Sequence, residues 1–365
     1  MHPTTPDYPL DLDSKPDSAR CLARIEAWFN QAVLDRPPIR FYHHNVEYEG
    51  GAALDPARWA TLRDRWFDVE YQVEAFERSI AGRTFHAETF PVFWPNLGPN
   101  VYSAFYGGEL EFAEVTSWYA PLITDLEDLS VLAPDPLTSV YFRKLDELTR
   151  AALERCAGKY LVGYSDLHPS LDCVAAWRGI PALCMDLATA PDKLEPLLER
   201  SVRDFHRIFD HFDRLLKARG LPSVTWLGIP SLGKLHIPNC DVAAMISTRH
   251  FARCSLPLLR REVAGMTRNI YHVDGKGVAQ HLDLLLAMPD IHAIQWVQGL
   301  GLDQPILQWV PLLRRIQAAG KSIVVDLQLN ELEGFIAAVE PEGVFLCLGV
   351  EEGQEPEVIK RLEQW

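Results

Sequence analysis

Short apolar runs alternate with longer amphipathic stretches along this sequence. That alternation predicts an α/β fold, a single (β/α)8 TIM barrel with an N-terminal helical extension. Two further observations select the barrel. Run after run ends in a carboxylate, an imidazole or a thiol, at the strand ends where a barrel gathers its chemistry, and 365 residues suit one barrel with an extension. The rival architecture, a doubly wound sheet, lacks its marks. Neither GxGxxG nor GxxxxGK followed by Ser or Thr occurs, and Gly228, Gly233 and Lys234 match neither pattern.

Residues 1–35 read as an N-terminal arm and helix. The first 20 or so are rich in Pro, Asp and Ser, as in a poorly ordered arm or a surface strap, and 21–35 carry apolar residues at helical spacing. Residues 36–365 read as the barrel. A second helical pattern covers 56–80, with Trp59, Leu62, Trp66, Val69 and Val73. Candidate strands are Ile39–Tyr42, Phe90–Trp94, Tyr160–Tyr164, Ala182–Asp186, Val224–Leu227, Leu235–Ile237, Asn269–Val273, Ala293–Val297, Ser322–Leu327 and Gly343–Leu348. That is more than eight, so some are edge pieces or false strands. Long amphipathic patterns cover 191–218, opened by Pro191, and 305–319, closed by Gly320. No linker divides the chain and no repeat has a fixed period.

Hydrophobic residues make up 48% of the chain, enough for a large core, and charged residues 23%. The net charge of −15 disfavours nucleic acid as a partner. No apolar stretch nears the roughly 20 residues that span a membrane. The N-terminus lacks a basic region followed by an apolar run. Seven dispersed cysteines without a CxxC argue against a disulfide framework. The expectation is a cytoplasmic enzyme acting on a small molecule, with no nucleic acid and no membrane partner.

The strand ends supply the candidate site. Tyr160–Tyr164 runs into Asp166 and His168, Leu235–Ile237 into Cys240 and Asp241, Asn269–Tyr271 into His272 and Asp274. Ala293–Ile294 runs into Gln295 and Trp296, Ser322–Val325 into Asp326, and Val344–Leu346 into Cys347. His272 and Asp274 are two apart, so on a strand they share a face. An imidazole and a carboxylate there, near a thiolate from another strand end, form a zinc-type donor set. The other reading is that Asp274 orients His272 or caps the turn before Gly275. Asp241 likewise reads as a cap on a helix near Ala243 or as a site carboxylate. Asp166, His168 and Asp172 share a loop that either makes turns and caps the next helix or touches substrate, with Arg178 available to pair a carboxylate. His43 and His44 follow the first strand as pocket residues or as exposed ones. Trp94 and Asn96, in an aromatic-rich stretch, suggest a pocket wall.

YHVDGKGVAQHLDLLLAMPDIHAIQWVQGLG (271–301) resembles the corresponding stretch of the uroporphyrinogen decarboxylase superfamily, in the decarboxylase-like branch related to zinc-dependent corrinoid methyltransferases. FPVFWPNLGPN (90–100), YLVGYSDLHPSLDCVAAWRG (160–179) and NCDVAAMIS (239–247) add to the likeness. The resemblance implies a (β/α)8 barrel and one of two chemistries: metal-free decarboxylation, or zinc-dependent methyl transfer between a corrinoid and a thiol. The decarboxylases carry RQAGRY after the first strand, whereas this chain reads PPIRFYHHNVEY (37–48), with Arg40 alone. The methyltransferases carry HxCG with a further cysteine after the last strand. Here His272-Val273-Asp274-Gly275 replaces the cysteine by aspartate, and Cys347 stands after the last strand.

The first expectation is therefore a zinc-dependent methyltransferase-like enzyme. Its metal would sit on His272, Asp274 and Cys347, with Asp166, Asp241 and His272 catalytic. Arg178, Gln295, Trp296, Trp94, Asn96 and His168 would bind substrate. A corrinoid, free or carried by a partner protein, would be donor or acceptor, and the superfamily implies a homodimer. The second expectation is a metal-free lyase acting on a small carboxylic acid gripped by Arg178 or Arg40. The third is a non-catalytic barrel that binds a corrinoid or another ligand.

Overall fold

The computed structural model describes residues 10–43 and 58–365; His44 and the start of the second helical pattern lie outside them. Ten strands occur among these residues: β1 (Ile39–His43), β2 (Val92–Phe93), β3 (Leu110–Phe112), β4 (Ser117–Tyr119), β5 (Leu161–Val162), β6 (Leu235–His236), β7 (Arg268–Asp274), β8 (Ala293–Val297), β9 (Ser322–Gln328) and β10 (Val344–Val350). Six form one sheet in the order β1-β10-β9-β8-β7-β6, and every neighbouring pair is parallel. Parallel neighbours demand crossovers, and helices supply them: Leu282–Leu286 between β7 and β8, Val310–Ala318 between β8 and β9, Leu332–Ala338 between β9 and β10. β2 and β5 form a separate parallel pair, and β3 and β4 a small antiparallel ladder.

Isolated hydrogen bonds tie the edges of the two parallel sheets to the segments beside them. The Glu88 N–H donates to the Ile39 carbonyl at 2.9 Å, and the Glu88 carboxylate accepts from the Ile39 N–H at 2.8 Å. On the other side the Tyr164 N–H donates to the Val224 carbonyl at 3.2 Å. The expected strand Val224–Leu227 does not form; a single antiparallel bridge, Ser223 to Ser231, brackets it. The ladders so formed are those of a six-stranded sheet and a pair, where the sequence predicts eight closed strands.

The sheet separates two cores. Phe90, Leu161, Val224, Leu235, Ile270, Ala293, Val324 and Phe345 meet on one face, and the crossover helices pack on the other. The N-terminal helix Ser18–Phe29 covers the N-terminal end of the first core. Cys21, Leu22, Ile25, Trp28 and Phe29 recur at helical spacing and are all buried there. Trp28 fixes the docking: its Nε1–H donates to the Gly343 carbonyl at 2.9 Å and the Ile323 carbonyl at 3.2 Å, and its own carbonyl accepts from Ser322 Oγ at 2.6 Å. Residues 10–17 are tucked in rather than loose, with Leu10, Leu12 and Lys15 buried.

One expected strand is a helix. Ala182–Asp186 lies within the helix Ile180–Thr189, whose buried residues Leu183 and Leu187 are four apart. Pro181 stands in its first turn, where a missing N–H costs nothing. A short apolar run carries no period that distinguishes strand from helix. The long pattern 191–218 forms a 3-10 turn (Pro191–Leu194) and two helices, Glu195–Arg203 and Phe205–Lys217. No helix among the described residues is long and apolar enough to cross a membrane.

Candidate metal centre and adjoining cleft

Strand β7 alternates. Asn269, Tyr271 and Val273 are fully buried, while Arg268, Ile270, His272 and Asp274 take the opposite face. The period of two thus puts His272 and Asp274 side by side. The neighbouring strand pairs His272 with Gln295, whose Oε1 lies 2.8 Å from His272 Nδ1. An amide oxygen only accepts, so the proton sits on Nδ1, and in the neutral imidazole the lone pair is then on Nε2. The edge of Trp226 closes over the imidazole, with ring centroids 5.7 Å apart.

The third member comes from the segment after β6. The His272 N–H donates to the Pro238 carbonyl at 3.0 Å, tying that segment to β7, and a short 3-10 turn follows, Asp241–Met245. Glycine lets the turn close on the chain beyond β7. Gly275 adopts φ +73°, and a Cβ on Gly277 would fall 2.8 Å from the Ala244 Cβ. As a result, ligand atoms of Asp241, His272 and Asp274 all lie within 4.8 Å of one another, the one such set among the described residues. Asp241 and Asp274 are exposed and His272 is partly buried.

Cys347 does not join this set. It is buried on β10, with Arg40 of β1 and Asp326 of β9 as its register partners. Burial pushes its thiol up to about 12; Asp326 adds to the rise and Arg40 opposes it. The same burial raises Asp326, against the pull of Arg40 and His272. Arg40 also donates to the Leu227 carbonyl. Arg40 and Asp326, neither among the expected metal ligands, form with Cys347 a polar group on the adjacent strands β1, β9 and β10. Their signal was period two on neighbouring strands, but the order of those strands is not written in the sequence.

Beside Asp241 opens a cleft of about 430 Å³, lined in part by Tyr119, His168, Asp172, Asp241 and Met245. Asp166 and His168 form an ion pair at 2.8 Å. Burial opposes charge on His168, but Asp166, with Asp172 and Asp241 behind it, overcomes this and lifts its pKa to about 9. Burial, reinforced by Asp241, pushes Asp172 up to about 6, although it accepts the backbone N–H groups of Asp241 and Val242. The cap on the 3-10 turn is therefore Asp172, from a distant helix, and the Asp241 carboxylate is left for the site.

Besides Gln295, engaged by His272, four expected substrate contacts lie elsewhere or are engaged. Trp296 is fully buried on the opposite face of β8 from Gln295 and packs on Trp309, ring centroids 4.9 Å apart, so it does not line the cleft. Arg178 pairs with Asp186 at 2.7 Å and donates to the Ile123 and Thr124 carbonyls. Trp94 and Asn96 line a separate cleft of about 480 Å³ with Arg65 and Trp66. Asn96 Oδ1 there accepts the Gly98 N–H at 2.8 Å, and the Trp94 indole N–H is buried without a partner among the described residues.

No family model matches the chain, and no curated protein matches it. Solved structures do. A methyltransferase from Methanosarcina mazei superposes with a TM-score of 0.60 at 12% identity, covering 94% of this chain and 98% of that one. At that identity the shared property is the fold.

Proposed function

We propose that this chain is a metal-dependent group-transfer enzyme of the methyltransferase type, built as a (β/α)8 barrel of the uroporphyrinogen decarboxylase superfamily. In this reading β2, β5 and the Ser223–Ser231 bridge complete the circuit of the six-stranded sheet. The observation that carries the reading is the meeting of Asp241, His272 and Asp274 at the C-terminal ends of parallel strands, beside a cleft of ligand size. The fold shared with a methyltransferase supports the reaction class.

The donor set suits a divalent ion: one imidazole nitrogen with a free lone pair and two carboxylates leave positions open for substrate. Held there, zinc or a harder divalent ion would supply a Lewis acid or lower the pKa of a bound nucleophile. The chain's own groups do the rest. Gln295 fixes the tautomer of His272. His168, held charged by Asp166, keeps a proton at the cleft wall near neutral pH. Pro99, Tyr119, Pro121, Ile180 and Met245 make the remaining wall largely apolar and limit water around the reacting group. The methyl donor or acceptor that the resemblance implies is a corrinoid, paired with a thiol. The rival reading, a metal-free lyase, would need Arg178 or Arg40 for the substrate carboxylate, and both already hold partners within the protein.

The test is the metal content of protein purified without an affinity tag, beside His272→Ala. The proposal expects about one divalent ion per chain, lost in the variant. Metal absent from both proteins, even after zinc and manganese are supplied, would overturn it.

A further inference from the structure

We infer that Asp172 is a positioning residue for the metal centre, holding the Asp241 ligand in place from a helix 69 residues away; the inference rests on the metal reading above. Asp241 is exposed and stands at the start of a 3-10 turn whose preceding residue, Cys240, provides no side-chain cap. A carboxylate so placed would be free to swing away from His272. Asp172 prevents this by accepting at both oxygens: Oδ2 takes the Asp241 N–H at 2.9 Å and Oδ1 the Val242 N–H at 3.1 Å. Two consecutive backbone groups gripped by one carboxylate fix both the position and the direction of the turn. His281, fully buried, accompanies this from the far end, where its Nε2–H donates to the Ala243 carbonyl at 2.9 Å.

Asp172 is itself anchored. It lies on the helix Ser170–Arg178, and Ser170 enters that helix at φ +63°, a conformation a serine rarely holds unaided. The Ser170 hydroxyl donates to Glu262 Oε2 at 2.7 Å, and Glu262 Oε1 lies 2.8 Å from His236 Nε2 on β6. Ser170, His236 and Glu262 are all buried. A buried network on the strand next to β7 thus sets the start of the helix, the helix aims Asp172, and Asp172 holds Asp241 beside His272. Supporting groups of this kind commonly matter almost as much as the ligands.

The experiment measures zinc affinity of the full chain by competition with a chromophoric chelator. It compares the unsubstituted protein with Asp172→Ala, Asp172→Asn and Asp241→Ala, and thermal unfolding reports whether each is folded. Asp172→Ala is expected to bind zinc about ten- to a hundred-fold more weakly. Asp172→Asn keeps one acceptor oxygen and should fall between. A folded Asp172→Ala with unchanged affinity, beside an Asp241→Ala that loses zinc, would overturn the positioning role and leave the metal reading standing. A drop in unfolding temperature without a drop in affinity would do the same. Should Asp172→Ala fail to fold, Asp172→Asn decides: weakened binding supports the role and unchanged binding overturns it. No zinc binding by the unsubstituted protein overturns both.

Discussion

The Nδ1 of His272 lies 2.8 Å from Oε1 of Gln295, its register partner on the next parallel strand. This contact gives the imidazole one tautomer and one orientation, and a ring nitrogen lies within 4.8 Å of carboxylate oxygens of Asp241 and Asp274. Gln295 thereby acts through His272, where the sequence suggested a substrate contact. Gln295→Leu is expected to weaken zinc binding by about ten- to a hundred-fold, whereas Gln295→Glu, which still accepts the Nδ1 proton, retains it. Chelator competition reads the difference. Equal affinity in all three proteins would show that the contact does not tune the site.

Glu88 is fully buried and holds three partners: Arg36 through both oxygens, Arg24, and the Ile39 N–H of β1. Removing it would leave the buried Arg36 short of its counter-charge and β1 short of a bond to the segment before β2. Glu88→Ala should lower unfolding free energy by about 3–5 kcal/mol, measured by urea denaturation. A loss under about 1 kcal/mol would mean that the contact between the two parallel sheets is dispensable.

The N-terminal helix should behave as part of the core. Trp28 is fully buried and donates to two carbonyls at the base of β9 and β10. Trp28→Ala should cost about 3–5 kcal/mol, and Trp28→Phe less, since it keeps an aromatic ring in the core while losing the N–H and part of the ring volume. Chemical denaturation followed by circular dichroism checks both. A near-neutral Trp28→Ala would show that residues 18–29 are an appendage.

The pair of Asp166 and His168 makes a pH prediction. The pKa of His168 is raised from an unfolded value of 6.5 to about 9. Its contribution to stability is then fully present below about pH 6.5 and is lost as pH rises through about 9. Proton NMR of the metal-free protein should find the imidazole titrating near 9, and His168→Gln should flatten stability across that window. Titration near 6.5 would show that the pair is not closed in solution.

What was legible in the sequence follows a simple division. β8 was bounded correctly, because Ala293–Val297 is a compact run between a turn and glycines, and period two placed His272 and Asp274 on one face. The same period puts Trp296 on the face opposite Gln295, so its absence from the cleft was already implied. Ala182–Asp186 was misread because five apolar-rich residues fit a helix as well as a strand. Position across the sheet was the least legible feature. Nothing local to Asp241 indicates that it, rather than Cys347, meets His272, or that Asp172 holds the turn. Those pairings depend on strand order and on crossovers many residues long.

The central claim is that the metal ligands are Asp241, His272 and Asp274. It is tested most directly by isothermal titration of zinc into the metal-free protein, with Asp241→Ala and Cys347→Ala measured side by side. The account predicts that Asp241→Ala loses the high-affinity site while Cys347→Ala keeps it. Binding that survives in Asp241→Ala and disappears in Cys347→Ala would contradict it and return the thiol to the metal.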